Sequence, residues 1–136
     1  MTKVFLPLLT RSRGAIVNVL SVAALAALPV IPAYSISKAA AFSLTQSLRA
    51  LLAERGVSVH AVLTGPVDTE MSRDLEVPKA SPASVAQGIF DGVAKGEQDI
   101  FPDPMSASMA ENWRGSAVKA VELQFAMLVA AQPAAA

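Results

Sequence analysis

The sequence predicts an α/β fold built on an open parallel sheet, and three observations carry that prediction. Two short runs rich in β-branched residues, Ala15 to Leu20 and Val57 to Leu63, flank a stretch from Ala33 to Arg55 that holds neither proline nor glycine and is rich in helix formers. Turn residues bound the runs: Arg11 to Gly14 before the first, Gly56 before the second, Thr64-Gly65-Pro66 after it. Strand, long helix and strand in that order form a βαβ unit, whose right-handed crossover lays the helix on one face of a parallel sheet.

Each element follows from its residues. Met1 to Thr10 reads as a helix end, with Val4, Phe5, Leu8 and Leu9 at helical spacing and Pro7 hindering a long continuation. Ser21 stands at the carboxyl end of the first strand. Gly56 suits the position after the long helix, where a left-handed residue is needed. Asp68 to Ala80 reads as a mobile polar loop. Ser81 is then an N-cap and Pro82 the first helical residue of a helix to about Lys95, which Gly96 ends. Asp99 to Pro102 is expected as a third short strand and Ser106 to Val129 as one last helix. Residues 1–130 make a single domain, and residues 131–136 a disordered tail.

Composition removes several classes of function. Hydrophobic residues make up 53% and charged ones 16%, too apolar for a disordered chain. Eleven basic residues balance eleven acidic ones, so no net field draws the chain to nucleic acid or to an anionic membrane surface. Without cysteine there is no thiolate metal site, a single His60 makes no histidine cluster, and a cytoplasmic setting is expected. No charge falls between Gly14 and Ser37, but Asn18, Ser21, Pro29, Pro32, Tyr34 and Ser35 interrupt that run, and two prolines break the helix that lipid requires. The N-terminus has no signal-peptide pattern.

The candidate chemistry lies at the carboxyl ends of the strands, where ligands bind in such sheets. Tyr34 and Lys38, four residues apart, share one helix face. A phenol is a poor proton donor or acceptor at neutral pH, and a neighbouring ammonium favours its ionised form, which suits general acid/base work. The Ser21 hydroxyl can hold a substrate oxygen beside that phenol. Alone, Tyr-x-x-x-Lys is common on helices and reads equally as a surface pair.

Three segments in order make the pattern specific: Gly14-Ala-Ile-Val-Asn-Val-Leu-Ser21, Ala33-Tyr-Ser-Ile-Ser-Lys-Ala-Ala40 and Gly65-Pro-Val-Asp-Thr-Glu-Met71. Together they resemble the catalytic, C-terminal half of the short-chain dehydrogenase/reductase family, from about Met1 to at least Met71. The resemblance implies the C-terminal part of a Rossmann-type doubly wound sheet without its first strands, and hydride transfer between NAD or NADP and a small alcohol or carbonyl. It makes Ser21, Tyr34 and Lys38 catalytic, with Tyr34 as acid/base, Ser21 orienting substrate and Lys38 also binding the nicotinamide ribose. Tyr34, Lys38, Gly65, Pro66, Val67 and Thr69 would hold the cofactor, the loop after them would act as a lid, and the helix from residues 33 to 55 would form a homo-oligomer interface. Two positions depart from the family's habit: Thr64 where proline is usual, which gives up rigidity, and Leu20 where a second serine is common, which would alter the pocket.

Nothing in these residues matches a glycine-rich pyrophosphate turn, so the segment by itself is expected to be inactive, and to associate through the exposed side of its first strand. The alternative is a noncatalytic paralogue that binds a family partner through the long helix. Phe42, Leu44, Leu48, Leu51 and Leu52 could serve either core or interface. His60 reads as a satisfied structural residue, Asn18 as a link to a missing neighbouring strand, and Asp68, Glu70, Asp74 and Glu76 as a solvated loop rather than a metal site. Trp113, Phe125, Met127 and Leu128 read as packing residues of the core or of an interface.

Overall fold

The computed structural model describes residues 2–131. Of the expected tail, residues 131–136, all but Ala131 lies outside them, and Ala131 is the C-cap of the last helix. Helix α1 (Thr2–Ser12) leads through a turn, with Arg13 at φ 50°, into strand β1 (Ala15–Val19). Helix α2 (Pro32–Leu52) follows, tightened at its end into a 3-10 turn that Gly56 closes at φ 68°, the left-handed conformation glycine adopts without strain. Strand β2 (Ser58–Val62), helix α3 (Pro82–Ala94) and strand β3 (Asp99–Ile100) complete the sheet, in parallel order β1-β2-β3. Ser81 caps α3 by accepting the Ser84 amide at 3.1 Å.

The single expected last helix is three: α4 (Pro104–Ala107), α5 (Ala110–Arg114) and α6 (Ala117–Ala130). Gly115 ends α5, and Ser116 starts α6 anew by capping the Lys119 amide. A glycine-serine pair inside a helical pattern was therefore the boundary, outweighed in the sequence by apolar residues on either side.

Register explains which strand residues are buried. Ile16 pairs with Val59, Asn18 with Ala61, and Ala61 with Asp99, so these residues share the sheet face under α2. There Leu20, Phe42, Ala61 and Leu63 form one core cluster, with Trp113 edge-on to Phe42, and Leu52, Val57 and Val59 form another beneath α1 and the end of α2. On the opposite face Ile100 lies so close to α3 that a Cβ on Gly92 would stand 2.7 Å from it. His60 is buried here as a structural residue, its Nδ1 2.6 Å from the Glu97 carbonyl. Among the described residues β1 pairs only with β2, and Val17 and Val19 on this second face are 37% and 58% exposed. Asn18 points the other way and donates to Thr45 Oγ1 on α2 at 2.9 Å, which corrects its expected role toward a missing strand.

A buried ionic network ties α2, β3 and α6. Arg49 pairs with Asp99 at 2.7 Å and with Glu122, and also donates to the Val59 and Gln98 carbonyls. Lys119 pairs with Asp99 at 2.6 Å and Glu122 at 2.9 Å, and Trp113 Nε1 donates to Asp99 at 2.8 Å. Burial pushes the Asp99 pKa up, but Arg49, Lys119 and the Trp113 donor outweigh it, so the carboxyl is held below its ordinary value. A lowered carboxyl pKa adds stability above the unfolded value, near 4, that is lost as pH falls through the folded one. Urea unfolding at pH 7 and below pH 4 should therefore show an acid loss that is blunted in Asp99→Asn, with that variant about 3 kcal/mol less stable at pH 7. Equal acid dependence in both proteins would remove Asp99 from that role.

Candidate active site

The site is assembled at the carboxyl ends of β1 and β2. Pairing continues past the strands: the Leu20 amide donates to Val62 at 2.8 Å and the Val22 amide to Thr64 at 3.0 Å. Ser21 lies between these bonds, nine-tenths buried, and its Oγ accepts the Ala23 amide at 3.2 Å to cap a 3-10 turn over Val22–Ala24. As an acceptor there, it keeps its hydroxyl hydrogen for another partner.

Tyr34 and Lys38 stand near the start of α2, both half-buried. Ser35 between them is buried and accepts the Leu28 amide at 2.9 Å, which folds the preceding loop back onto the helix. The Lys38 Nζ lies over the Tyr34 ring, 5.5 Å from its centroid, and donates to the Val19 carbonyl at 3.4 Å. The pair thus meets through the ring face, and the lysine joins α2 to the strand that ends at Ser21.

Thr64 and Leu20 differ from what their family departures suggested. The Thr64 hydroxyl donates to the Leu20 carbonyl at 3.2 Å, a side-chain clamp between the two strand ends where a proline would stiffen only its own backbone. Leu20 packs in the core under α2, against Phe42, Ala61 and Leu63.

Beyond Thr64 the turn runs through Gly65, Pro66, Val67 and Thr69. The Ala80 amide donates to Pro66 at 3.0 Å and the Asp68 amide to Ala80 at 2.8 Å, a bridge that closes the neck of the polar loop. That bridge leaves the Val67 N–H out, and the Val67 carbonyl accepts the buried Ser72 hydroxyl. The exposed Thr69 hydroxyl also donates to the Val67 carbonyl, at 3.4 Å. Ser72 also accepts the Thr69 amide at 3.2 Å, in a 3-10 turn over Glu70–Ser72 that orders the start of the loop. Glu70 pairs with Arg73 there.

A third wall was missed in the sequence. Asp103, at the N-cap of α4, and Ser106, within that helix, are buried, and Asp103 accepts the Gly65 amide at 2.8 Å. The signal was present, since Asp103-Pro104 with Ser106 three positions after the aspartate is an N-cap pattern, but the expected helix began only at Ser106 and left the aspartate outside it. A separate groove of about 640 Å3 between α2 and α6 is not lined by Ser21, Tyr34, Lys38 or the Gly65 turn. No described helix is long and apolar enough to cross a membrane.

Comparison with known proteins places the chain in a family. The short chain dehydrogenase family model matches residues 1–79. The probable galactose dehydrogenase of Rhizobium meliloti (strain 1021) is 40% identical over 74 residues, covering 54% of this chain and 29% of that protein. A dehydrogenase/reductase SDR family protein 7-like of Anopheles gambiae is 30% identical over 125 residues, 81% of this chain and 39% of its own. The crystal structure of a short chain dehydrogenase from Burkholderia cenocepacia J2315 in complex with NADP superposes with a TM-score of 0.78 at 37% identity, over 85% of this chain and 50% of that one. The chain belongs to the short-chain dehydrogenase/reductase family, and its fold is part of that family's Rossmann-type sheet. It spans half or less of the length of these relatives.

The Thr64 clamp is testable by substitution. Thr64→Val keeps the shape, loses the bond to Leu20, and should cost about 1 kcal/mol in urea unfolding. Thr64→Ser should recover most of it. Full stability in the valine variant would show the clamp to be energetically idle.

Proposed function

We propose that the chain supplies the substrate and nicotinamide end of an NAD(P)-dependent oxidoreductase site, acting on a small alcohol or carbonyl. The observation that carries this is the Tyr34–Lys38 pair on α2, fastened to Val19 beside Ser21 and facing strand ends that also present the Gly65–Thr69 turn. The NADP-bound Burkholderia relative supports the choice of cofactor class. The donor set suits such a molecule: an ammonium, a hydroxyl and a main-chain N–H can meet ribose hydroxyl, phosphate and carboxamide groups.

The cofactor, when bound, gives or takes the hydride. Tyr34 gives its phenolic proton to a carbonyl oxygen in reduction and receives one from an alcohol in oxidation. Ser21 donates to that same oxygen and fixes its direction. Lys38 holds Tyr34 and reaches a ribose hydroxyl, and Gly65, Pro66, the Val67 N–H and Thr69 seat the nicotinamide end. The 136 residues by themselves do not turn over in this proposal, because pyrophosphate must be held by a half supplied separately.

Titration of the folded chain with NADH and NADPH, followed by cofactor fluorescence, is expected to saturate; a folded chain that binds neither sinks the proposal. With the N-terminal half of a full-length relative added, Tyr34→Phe should lower turnover roughly 10²- to 10⁴-fold with cofactor affinity nearly unchanged. Undiminished turnover would remove Tyr34 as the acid/base.

Self-association through α2 belongs to the same proposal. Of the five apolar residues open to either use, Phe42 and Leu52 are buried and Leu48 half-buried, whereas Leu44 and Leu51 are each 59% exposed, with Ile36, about two turns before Leu44, at 70%. A helix meeting its own copy about a two-fold axis buries such a stripe against itself. It also supports the second reading, a noncatalytic binding module, which a complex that forms but stays inactive would favour. Sedimentation velocity should show a dimer that Leu44→Lys converts to monomer; an unchanged sedimentation coefficient would place the contact elsewhere.

A further inference from the structure

Three serines cap turns or helices here with a single oxygen: Ser21 before Val22–Ala24, Ser81 before α3, Ser116 before α6. Position 103 caps α4 with a carboxylate that is 4% exposed. A serine or asparagine would cap equally well without burying a charge, and among the described residues no cation pairs with Asp103. Its second oxygen accounts for the difference. Oδ1 accepts the Ser106 amide at 3.0 Å; Oδ2 accepts the Ser106 hydroxyl at 2.7 Å and, from outside its own helix, the Gly65 amide at 2.8 Å.

The orientation of that carboxylate is over-determined from its own side. The fully buried Ser106 holds it by two donors and returns an acceptor to the Asp103 amide at 3.3 Å. Against so fixed a group the Gly65 backbone has one place to sit. A Cβ at position 65 would lie 2.7 Å from Oδ1 and 3.1 Å from the Met105 sulfur, so the approach exists only because residue 65 is glycine.

We propose that Asp103, set by Ser106, is a positioning residue for the cofactor turn: through the Gly65 N–H it determines where the Val67 N–H and the Thr69 hydroxyl stand. The role rests on the proposal that this turn seats the nicotinamide end. Asp103 touches neither cofactor nor substrate. It acts through Gly65.

Asp103→Asn separates this role from capping. Asparagine is as good an N-cap, so its oxygen can keep the Ser106 amide while its NH2 faces the Gly65 N–H, donor against donor. In the folded 136-residue variant, amide exchange over residues 65–69 should speed up about tenfold, and the Kd for NADPH should rise by about the same factor. Ser106→Ala, which leaves the Gly65 bond but frees the carboxylate, should give a smaller change of the same kind and serves if the asparagine variant does not fold. Ser116→Ala removes the α6 cap, which takes no part in the bonds that hold the turn, and should lower stability while leaving both readouts alone. Unsubstituted chain that binds NADPH, with an Asp103→Asn variant matching it in turn exchange and Kd, overturns the assignment. Unsubstituted chain that binds neither NADPH nor NADH overturns the cofactor role of the turn, and this one with it, and is thereby told apart.

Discussion

The Arg49–Asp99–Lys119–Glu122 network is the interaction on which the C-terminal half of the structure depends. Strand β3 has two residues, too few for its ladder bonds to hold it alone, and α6 leaves Phe125, Met127 and Leu128 exposed rather than packed. What holds both is charge. Two cations and two anions, each about nine-tenths buried or more, neutralise one another across three elements, and the Val59 and Gln98 carbonyls and Trp113 take up the remaining hydrogen-bonding capacity. Such a network gains little over a well-packed apolar replacement, yet losing one member strands its partners in a low dielectric. It therefore favours one arrangement of α6 on α2 more than it adds net stability. Because Arg49 lies on the helix that begins with Tyr34 and Lys38, the same contacts anchor the far end of the element that carries the candidate acid/base pair.

The sheet distributes its burial unevenly for a related reason. On the α2 face β1 and β2 contribute to the core clusters, β3 contributes Asp99 to the ionic network, and even the polar Asn18 finds Thr45. On the other face α3 covers β3, through the close approach that Gly88 and Gly92 permit to Pro102 and Ile100, His60 and Val62 of β2 are buried, and β1 is left uncovered. Val17 and Val19 lie on that uncovered part, beside the edge of β1 that has no described neighbour. An apolar strand with one bare face and one bare edge favours added structure on both. This is the physical content of a chain that spans about half of the Burkholderia relative.

Local patterns were legible in the sequence, and distant pairings were not. The β-branched runs, the uninterrupted helix, Gly56 and the Ser81-Pro82 start follow from residues adjacent in the chain, so periodicity and turn chemistry reveal them, and the ordered motifs led to Ser21, Tyr34, Lys38 and the Gly65 turn. Arg49 and Glu122 lie seventy-three positions apart, and each alone looks like an ordinary helix-surface charge. Phe125, Met127 and Leu128, expected in the core or an interface, lie outside the core, because apolar character says that a residue favours burial, while only the placement of α6 says whether its own chain has a surface to receive it. Lys38 was expected to serve the phenol, and its spacing from Tyr34 indeed brought them together; that it also ties α2 to the Val19 carbonyl required knowing where β1 ends.

Thr64 and Asp103 show how one short turn comes to be held from two sides. The hydroxyl of Thr64 bonds back to Leu20 on the β1 side, and the carboxylate of Asp103 bonds to the very next amide from the β3 side. Strand β2 lies between them, so the Gly65 turn is referenced to both neighbours of the strand that produces it. A proline at position 64 would limit the backbone angles there but could make no hydroxyl bond to β1. The side-chain clamp transmits the position of β1, and therefore of Ser21 and the Lys38 contact at Val19, to the turn. Two hydrogen bonds thus relate the groups assigned to substrate and those assigned to cofactor, and hydride transfer requires those two sets to keep a common frame.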